Sequence, residues 1–329
     1  MQRKIKLIIL ASLLVGGAII CAIRWKAWFA LPQEPMWEGE ELKVNFVTFA
    51  DENVHNKLQK DTLEFLLLGD IHSGIDTAVW NNISIRHKNI DFWAQLGDWM
   101  ERPYLYYKQM MYHSIKGTEF ENLPIINIPG NHEYYKGIIK ELDGEWTNIF
   151  QHPNNGPKRF LGRSYIVDLP TIRIITIDTD GLQLLSDYTQ VAFWVKNALR
   201  EANDRLTIVM MHHPVFSTAD GRQNVFLWLT FYGVLREADV VFSGHDHNYA
   251  RREVEYKERF WTKQQPTIFI GTNASHKNYP NKQDDNYDCV YSGNPVYEHI
   301  KIINDSLHIY TYELETGKLI DEIGLRNNK

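Results

Sequence analysis

The chain has 329 residues, of which 44% are hydrophobic, 13% aromatic and 23% charged, and its formal net charge is −6 at pH 7. This composition excludes a disordered protein, which lacks the apolar residues needed to offset chain entropy, and a multispan membrane protein, because a single stretch is apolar enough to cross a bilayer. Residues 1–30 hold five basic and no acidic side chains, which leaves a net charge of −11 on residues 31–329. Such an acidic body argues against a broad nucleic-acid-binding surface, and no feature predicts a partner protein.

The amino terminus carries an uninterrupted run of apolar and small residues, Leu7–Ile23. Basic residues precede the run, as in segments that direct export, and the run ends at basic and tryptophan residues typical of a membrane interface. We therefore expect residues 1–30 to form a signal-anchor or transmembrane segment that holds the rest of the chain outside the cytoplasm. The alternative is a cleaved signal, which would give a secreted or periplasmic protein. The flanking residues are Arg3, Lys4, Lys6, Arg24, Trp25, Lys26 and Trp28.

Residues 31–329 are interpreted as a single domain, because no linker, repeat or low-complexity segment divides them. Short runs rich in Ile, Leu and Val end abruptly in small or polar residues, which is typical of buried strands. Helical periodicity lies between several of them, most clearly over residues 191–199, with Asp187 as a plausible amino-terminal cap. This alternation predicts an α/β sandwich with mixed sheets, and the polar residues 272–299 predict a long surface loop. The predicted strands contain Leu63–Leu68, the run near Phe92, Ile125–Ile128, Ile172–Ile177, Leu206–Met211, Val240–Phe242, Ile268–Ile270, Ile300–Ile303 and Leu307–Tyr312.

Polar side chains directly follow five of these predicted strands. In an open α/β sheet, the loops at the carboxyl ends of the strands share one rim, so residues far apart in sequence can converge on one pocket. Each segment offers carboxylate, imidazole or amide groups, and none offers a thiolate. The segments are Gly69-Asp70-Ile71-His72, Gly97-Asp98, Asn131-His132-Glu133, His212-His213-Pro214 and Gly244-His245-Asp246-His247.

The mixture of carboxylate and imidazole groups predicts Mn, Fe or Zn, because Mg and Ca prefer shells of oxygen alone. Seven candidate ligands are too many for one ion, and a carboxylate shared between two ions fills a place in both shells. We therefore expect two divalent metal ions, whose identity the ligands leave open. Two such ions with a bridging hydroxide form the clamp that supports in-line displacement at phosphorus. The candidate ligands are Asp70, His72, Asp98, Asn131, His212, His245 and His247.

The ordered set of motifs over about residues 62–250 resembles the calcineurin-like metallophosphoesterase superfamily. Gly-His-Asp-His-Asn at residues 244–248, with His-x-Pro-Val before it, is most similar to members like the tartrate-resistant (purple) acid phosphatases. Two positions depart from that branch: Glu101 stands where those enzymes have a Tyr metal ligand, and His72 is kept where their first motif lacks a His. The resemblance implies a four-layer αββα sandwich of two mixed β-sheets flanked by helices, with residues 31–329 as the catalytic domain.

The resemblance also implies a role for each site residue. His132 is expected to contact the phosphate and to protonate the leaving oxygen, with Glu133 as a second catalytic residue that orients it. Asp98 is expected to bridge the two metal ions. The other implied ligands are Asp70, His72 and His247 for the first ion and Asn131, His212 and His245 for the second. Substrate contacts are expected from Asn131, His132, His213 and Arg251.

These implications predict a hydrolase, a metal-dependent phosphoesterase acting on a small phosphorylated substrate. The expected activity is hydrolysis of a phosphomonoester by attack of a bridging hydroxide. The alternatives are a phosphodiesterase or nucleotide hydrolase with the same centre, and a non-catalytic surface binding protein that keeps the fold. All seven expected ligands and His132 are present, which favours an enzyme. The natural substrate stays open, because the segments expected to shape the pocket, residues 99–120 and 272–299, carry no recognisable motif.

Overall fold

The computed structural model describes residues 34–72, 74–136, 139–255, 257–258, 261–262, 265–281 and 285–326. The predicted signal-anchor segment, residues 1–30, lies outside these described residues and stays a prediction. Within the described ranges, no helix combines the length and the apolar character that a membrane crossing requires.

The first sheet has six strands, which are β1 (Thr62–Leu68), β2 (Phe92–Gln95), β3 (Ile125–Asn127), β15 (Val296–Ile303), β16 (Ser306–Glu313) and β17 (Leu319–Arg326). Their order across the sheet is β17-β16-β15-β1-β2-β3. β1, β2 and β3 are parallel to one another, whereas β15, β16 and β17 are antiparallel to their neighbours. The parallel strands bring the carboxyl ends of β1, β2 and β3 to one edge of the sheet.

The second sheet has seven strands, which are β6 (Ile166–Asp168), β7 (Ile172–Ile177), β8 (Leu206–Met211), β9 (Val240–Ser243), β10 (Tyr249–Val254), β13 (Thr267–Gly271) and β14 (Cys289–Tyr291). Their order is β14-β10-β13-β9-β8-β7-β6, with β7, β8, β9 and β13 parallel. Two small hairpins pair β4 (Tyr134–Tyr135) with β5 (Glu141–Leu142) and β11 (Lys257–Glu258) with β12 (Trp261–Thr262). The carboxyl ends of β8 and β9 supply the second half of the site rim.

Six α-helices are assigned in the described residues, together with two short 3₁₀ turns at Glu119–Glu121 and Lys158–Phe160. Asp51, Asp76 and Asn224 cap the first, second and sixth helices, because each side chain accepts a hydrogen bond from a backbone N–H in the first turn. The helices are α1 (Glu52–Lys57), α2 (Thr77–Arg86), α3 (Leu105–Ile115), α4 (Trp146–Ile149), α5 (Leu185–Arg200) and α6 (Val225–Leu235).

Three hydrophobic clusters separate the layers of the molecule. Alternate side chains of a strand point to opposite faces, so Phe65 and Leu67 of β1 pack in the core between the two sheets. Leu66 and Leu68 of the same strand pack outward with residues of α2 and α3. On the far side, residues of β7 and β8 pack outward with those of α5 and α6. The resulting four-layer αββα sandwich of mixed sheets confirms the predicted fold class.

Two local predictions are wrong. Residues 272–299 are not one surface loop, because they include β14 and the start of β15, and residues 272–275 are buried below the site rim. Asp187 is not the cap of α5. It lies in the first turn, where its carboxylate accepts hydrogen bonds from the backbone N–H groups of Leu184 and Gln183. The polar composition of residues 272–299 predicted exposure, but hydrogen bonds within the fold allow some of these polar residues to be buried.

Candidate metal centre

The predicted ligands converge at one rim, formed by the carboxyl ends of strands from both sheets. Five of them occupy the left-handed backbone region, which side chains other than glycine seldom adopt. In the described chain, seven non-glycine residues have positive φ, so most of this strain is concentrated at the site. The five are Asp70, His72, Asp98, His245 and His247, with φ between 50° and 72°.

Two glycines allow the ligand-bearing turns to approach one another. A Cβ atom at Gly97, whose φ is +90°, would lie 2.5 Å from the backbone nitrogen of Gly130. A Cβ atom at Gly244 would lie 2.5 Å from Oδ2 of Asp70. Since real Cβ atoms do not make such contacts, the site requires glycine at both positions.

The first ligand group consists of Asp70, His72, Asp98 and His247, whose ligand atoms lie within 4.8 Å of one another. The Nε2 atoms of His72 and His247 face each other at 3.2 Å, and His247 Nε2 is 3.5 Å from Asp70 Oδ1. His247 Nδ1 donates to the carbonyl of Lys277 at 3.1 Å, so its Nε2 presents a lone pair. Lone pairs that face each other around a carboxylate fit a bound cation.

Asp70 gives an independent test of that fit. Its side chain is fully buried, and Oδ1 has no hydrogen-bond partner among the described residues, whereas Oδ2 accepts a hydrogen bond from the His245 backbone at 2.7 Å. Burial raises the pKa of Asp70 to about 7. A buried carboxylate oxygen without a donor is costly, and a metal ion would satisfy it.

The second group comprises His212, His245 and Asn131. His212 Nδ1 donates to the carbonyl of Leu96 at 2.8 Å, and its Nε2 lies 3.4 Å from Asn131 Oδ1 and 3.3 Å from His245 Nδ1. Although burial opposes the change, the neighbouring carboxylates, Asp98 first among them, raise the pKa of His212 to about 10. The surroundings of His212 therefore favour positive charge, as a metal site requires.

Asp98 lies between the two groups. Its Oδ2 is 3.3 Å from His212 Nε2 and 3.7 Å from His72 Nε2, and its Oδ1 accepts the backbone N–H of His132 at 2.8 Å. Burial acts to raise the pKa of Asp98, but the charge and hydrogen bond of His212 hold that pKa well below its usual range. The carboxylate is thus placed where a ligand shared by two ions would be.

His132 is oriented by Glu101 rather than by Glu133. His132 Nδ1 bonds the backbone carbonyl of Glu101 at 2.6 Å, and the Glu101 carboxylate bonds His72 Nδ1 at 2.9 Å. Burial lowers the pKa of His132, while the Asp98 carboxylate opposes that change. One residue, Glu101, therefore positions both a predicted metal ligand and the predicted general acid.

Glu133 has a different place from the one predicted. Its fully buried carboxylate accepts backbone N–H groups of Asp98 at 2.8 Å, Met100 at 3.0 Å and Gly130 at 2.7 Å. Burial raises the pKa of Glu133 to about 7. The prediction that it orients His132 is corrected: Glu133 joins two ligand-bearing turns through their backbones.

The predicted substrate contacts separate into two sets. Asn131, His132 and His213 line a cavity of about 620 Å³ over the ligand groups. Arg251 is not among its lining residues, and its Nε bonds Asp321 at 2.8 Å while a guanidinium nitrogen pairs with Glu253. The expected phosphate contact of Arg251 is therefore corrected, because two carboxylates on the sheet hold its guanidinium.

Sequence reasoning missed several further cavity residues, among them four charged ones that contact a predicted site residue or its support. Glu101 was noted only for replacing a Tyr, and the others lie outside any motif. Their common property is that they contact a predicted residue or its support, which no local pattern reveals. They are Glu101, Lys140 (which pairs with Asp180, the partner of His213), Arg222 and Lys277.

Among the solved structures that are similar to this chain, three each cover 82% of it. They are purple acid phosphatase PPD1 from yellow lupin (14% identity, TM-score 0.61, 82% of this chain and 54% of that chain), GAP50, the anchor in the inner membrane complex of Plasmodium (16%, 0.58, 82% and 90%), and PhoD (8%, 0.54, 82% and 70%). This chain thus spans about half the length of the lupin protein. At these identities the similarity shows the fold.

No curated protein sequence matches this chain. The family model of calcineurin-like phosphoesterases, however, matches residues 63–249, which is more than half of the chain and contains every predicted metal ligand. The chain therefore belongs to the calcineurin-like phosphoesterase family, a family of phosphate ester hydrolases that generally bind two metal ions.

Proposed function

We propose that this phosphoesterase hydrolyses a phosphomonoester at a two-metal centre held by the seven predicted ligands. The observation that carries the proposal is the place of Asp98, whose Oδ2 lies within 3.9 Å of Nε2 of His212, His72 and His132. One carboxylate thereby reaches both ligand groups and the proposed acid. When bound, two divalent ions would polarise the phosphoryl oxygens and activate a water nucleophile.

His132 would supply the proton for the leaving group. The Glu101 carbonyl accepts a hydrogen bond from its Nδ1, so Nε2 is the ring nitrogen that can hold a proton for transfer. Asp98, at 3.9 Å from that nitrogen, stabilises the imidazolium form. Transfer of the Nε2 proton to the leaving oxygen is general acid catalysis.

The charge of the cavity supports a monoester over a diester. Five of the lining side chains are basic and two are acidic, and a phosphomonoester carries more negative charge than a diester. Interactions between a cation and phosphate oxygens are strong where water is partly excluded. Asn131 and His213 line the same cavity and would contact the phosphoryl group.

The test compares the full-length chain with its Asp98→Asn variant, using metal analysis and turnover of p-nitrophenyl phosphate and bis(p-nitrophenyl) phosphate. We expect two bound ions, faster turnover of the monoester, and a loss on the order of 10³-fold in kcat/KM in the variant, which is about 4 kcal/mol on the barrier. Lys196→Met on α5 serves as the control variant. Full activity of Asp98→Asn contradicts the proposal.

Two other outcomes would point elsewhere. Faster turnover of the diester would indicate a phosphodiesterase or nucleotide hydrolase with the same centre. Two bound ions without turnover of either compound would indicate a surface protein that keeps the fold and has lost catalysis.

We also propose that residues 1–30 anchor the catalytic domain in a membrane, outside the cytoplasm. The support is the apolar run Leu7–Ile23 between basic residues. In cell fractionation the full-length chain should stay with the membrane after a salt wash, and external protease should digest the domain in intact cells. Recovery of a shortened chain from the medium or periplasm would indicate a cleaved signal instead.

A further inference from the structure

The cavity over the ligand groups is basic in a protein whose residues 31–329 are acidic. Its lining contains five basic side chains and two acidic ones, whereas those residues carry a net charge of −11. A cleft lined by one sign of charge concentrates ligands of the opposite sign. The basic lining residues are Arg102, Lys136, Lys140, Arg222 and Lys277.

Two of these cations are held by the fold itself. Lys140 Nζ pairs with the buried carboxylate of Asp180 at 2.7 Å. Arg222 donates to Nε2 of His245 at 2.7 Å and to the His245 carbonyl at 3.0 Å, and its guanidinium stacks 4.3 Å from the centre of the Tyr279 ring. These contacts account for their positions without a ligand.

The other three cations have no carboxylate partner among the described residues. Burial, followed by the positive charges of Arg102 and Lys277, lowers the pKa of Lys136. Lys277 Nζ lies 5.6 Å from the centre of the Tyr279 ring. The Glu101 carboxylate, which lines this side of the cavity, is already bonded to His72. Three cations that repel one another are therefore left facing the cavity.

We propose that the substrate carries a second phosphoryl group, which Arg102, Lys136 and Lys277 bind while the first is hydrolysed. This inference rests on the proposed function, because the ligand groups and His132 account for the first phosphoryl group. A second phosphoryl group would supply the acceptor oxygens that these three side chains lack. The substrate class is thus a small organic bisphosphate, whose two phosphoryl groups are attached to separate oxygens of one carbon skeleton.

The second phosphoryl group takes no part in the reaction. At the first, a water molecule releases a proton to solvent and its oxygen bonds to phosphorus. The bond to the leaving oxygen breaks, that oxygen receives a proton from His132, and His132 regains a proton from solvent. Anchoring a remote group of the substrate in this way positions the reacting group.

The test measures binding of butanediol bisphosphate and butanediol monophosphate to the full-length chain by calorimetry, with their hydrolysis measured in parallel. We expect the bisphosphate to bind at least about tenfold more tightly, because two additional charges meet unpaired cations. The double substitution Lys136→Met and Lys277→Met should remove most of that preference. Lys196→Met makes the same chemical change outside the cavity and should leave the preference intact.

Equal dissociation constants for the two compounds would overturn the inference, and so would a preference that survives the double substitution or is equally reduced by Lys196→Met. Hydrolysis of both compounds with equal affinity would overturn it while leaving the proposed phosphoesterase activity in place. Absence of hydrolysis would contradict the proposed function, and the ratio of dissociation constants would still decide whether the three cations bind a second phosphoryl group.

Discussion

Asp70 and Glu133 are buried carboxyl groups at the same rim, and burial raises the pKa of each to about 7. Glu133 accepts three backbone N–H groups, so the chain itself satisfies it. Asp70 accepts one, and its buried Oδ1 faces His247 Nε2 at 3.5 Å. The difference teaches that burial alone does not identify a metal ligand. A carboxylate surrounded by hydrogen-bond donors supports the fold, whereas a carboxylate that faces the lone pairs of imidazole nitrogens is suited to bind a cation.

A third buried carboxyl group extends the comparison. Glu298 on β15 is fully buried, and burial raises its pKa to about 8, with the Thr272 hydroxyl and its own backbone amide opposing the shift only in part. It is therefore protonated at neutral pH in the folded chain. The three groups represent a proposed metal ligand, a support of the fold and a neutral acid.

The largest expected effect is that of Asp70→Asn. The amide removes the negative oxygen offered to the cation, so we expect kcat/KM to fall about 10³-fold and the stabilisation by added metal, about 2–3 kcal/mol at saturating metal, to disappear. Denaturant unfolding with and without Mn²⁺ or Zn²⁺ measures the second effect. Stability of the metal-free variant should stay at or above that of the native chain. A large loss of stability in the metal-free variant would indicate that Asp70, like Glu133, supports the fold.

Glu298→Gln should change how stability depends on pH. The folded-state pKa of about 8 exceeds the ordinary value of 4.5, so between these values the folded chain holds a proton that the unfolded chain releases. The free energy of unfolding of the native chain should then fall as pH rises, by up to about 1.4 kcal/mol per pH unit from this group. The variant lacks this contribution. Its free energy of unfolding, relative to that of the native chain, should therefore rise by about 3 kcal/mol between about pH 5 and about pH 7. A difference in free energy of unfolding between the variant and the native chain that does not change with pH would contradict this prediction.

Glu133→Gln should destabilise the chain whether or not metal is bound. The amide NH₂ of Gln would face a backbone N–H that the carboxylate now accepts, which costs about 2 kcal/mol of unfolding free energy. Metal-free denaturant unfolding is the measurement, with Glu298→Gln as the matched control because the same change there should not destabilise. Unchanged metal-free stability would show that Glu133 is not a support.

The smallest expected effect is that of Arg251→Met. Its ion pairs with Asp321 and Glu253 lie outside the cavity lining, so kcat/KM should stay within about twofold and stability should fall by less than about 1 kcal/mol. Initial-rate kinetics with a phosphomonoester decides this. A rise in KM of tenfold or more would restore Arg251 as a substrate contact.

Much of the fold could be predicted because a buried strand and the polar residues that follow it form a pattern of residues adjacent in the chain. Ile172–Ile177 and Leu206–Met211 were predicted with the bounds that β7 and β8 have, since apolar runs of this length bounded by polar residues are buried strands. The segment 272–299 was misjudged for the opposite reason. Its polar side chains are satisfied inside the fold, as when Asn273 Nδ2 bonds the Ser275 and Lys277 carbonyls, and composition does not reveal such bonds.

The sequence by itself determined the strand-ending motifs, the fold class and the candidate ligands, because each depends on residues adjacent in the chain and on a rim that the α/β architecture shares. Only the tertiary structure decided which residues hydrogen-bond to the site residues and orient them. Glu133 lies next to His132 in sequence but bonds backbone amides, while Glu101, more distant, orients the imidazole. Likewise, a long-range hydrogen bond between His247 Nδ1 and the Lys277 carbonyl holds Lys277 at the cavity. Long-range contacts of this kind follow from packing of the two sheets, for which neighbouring residues carry no signal.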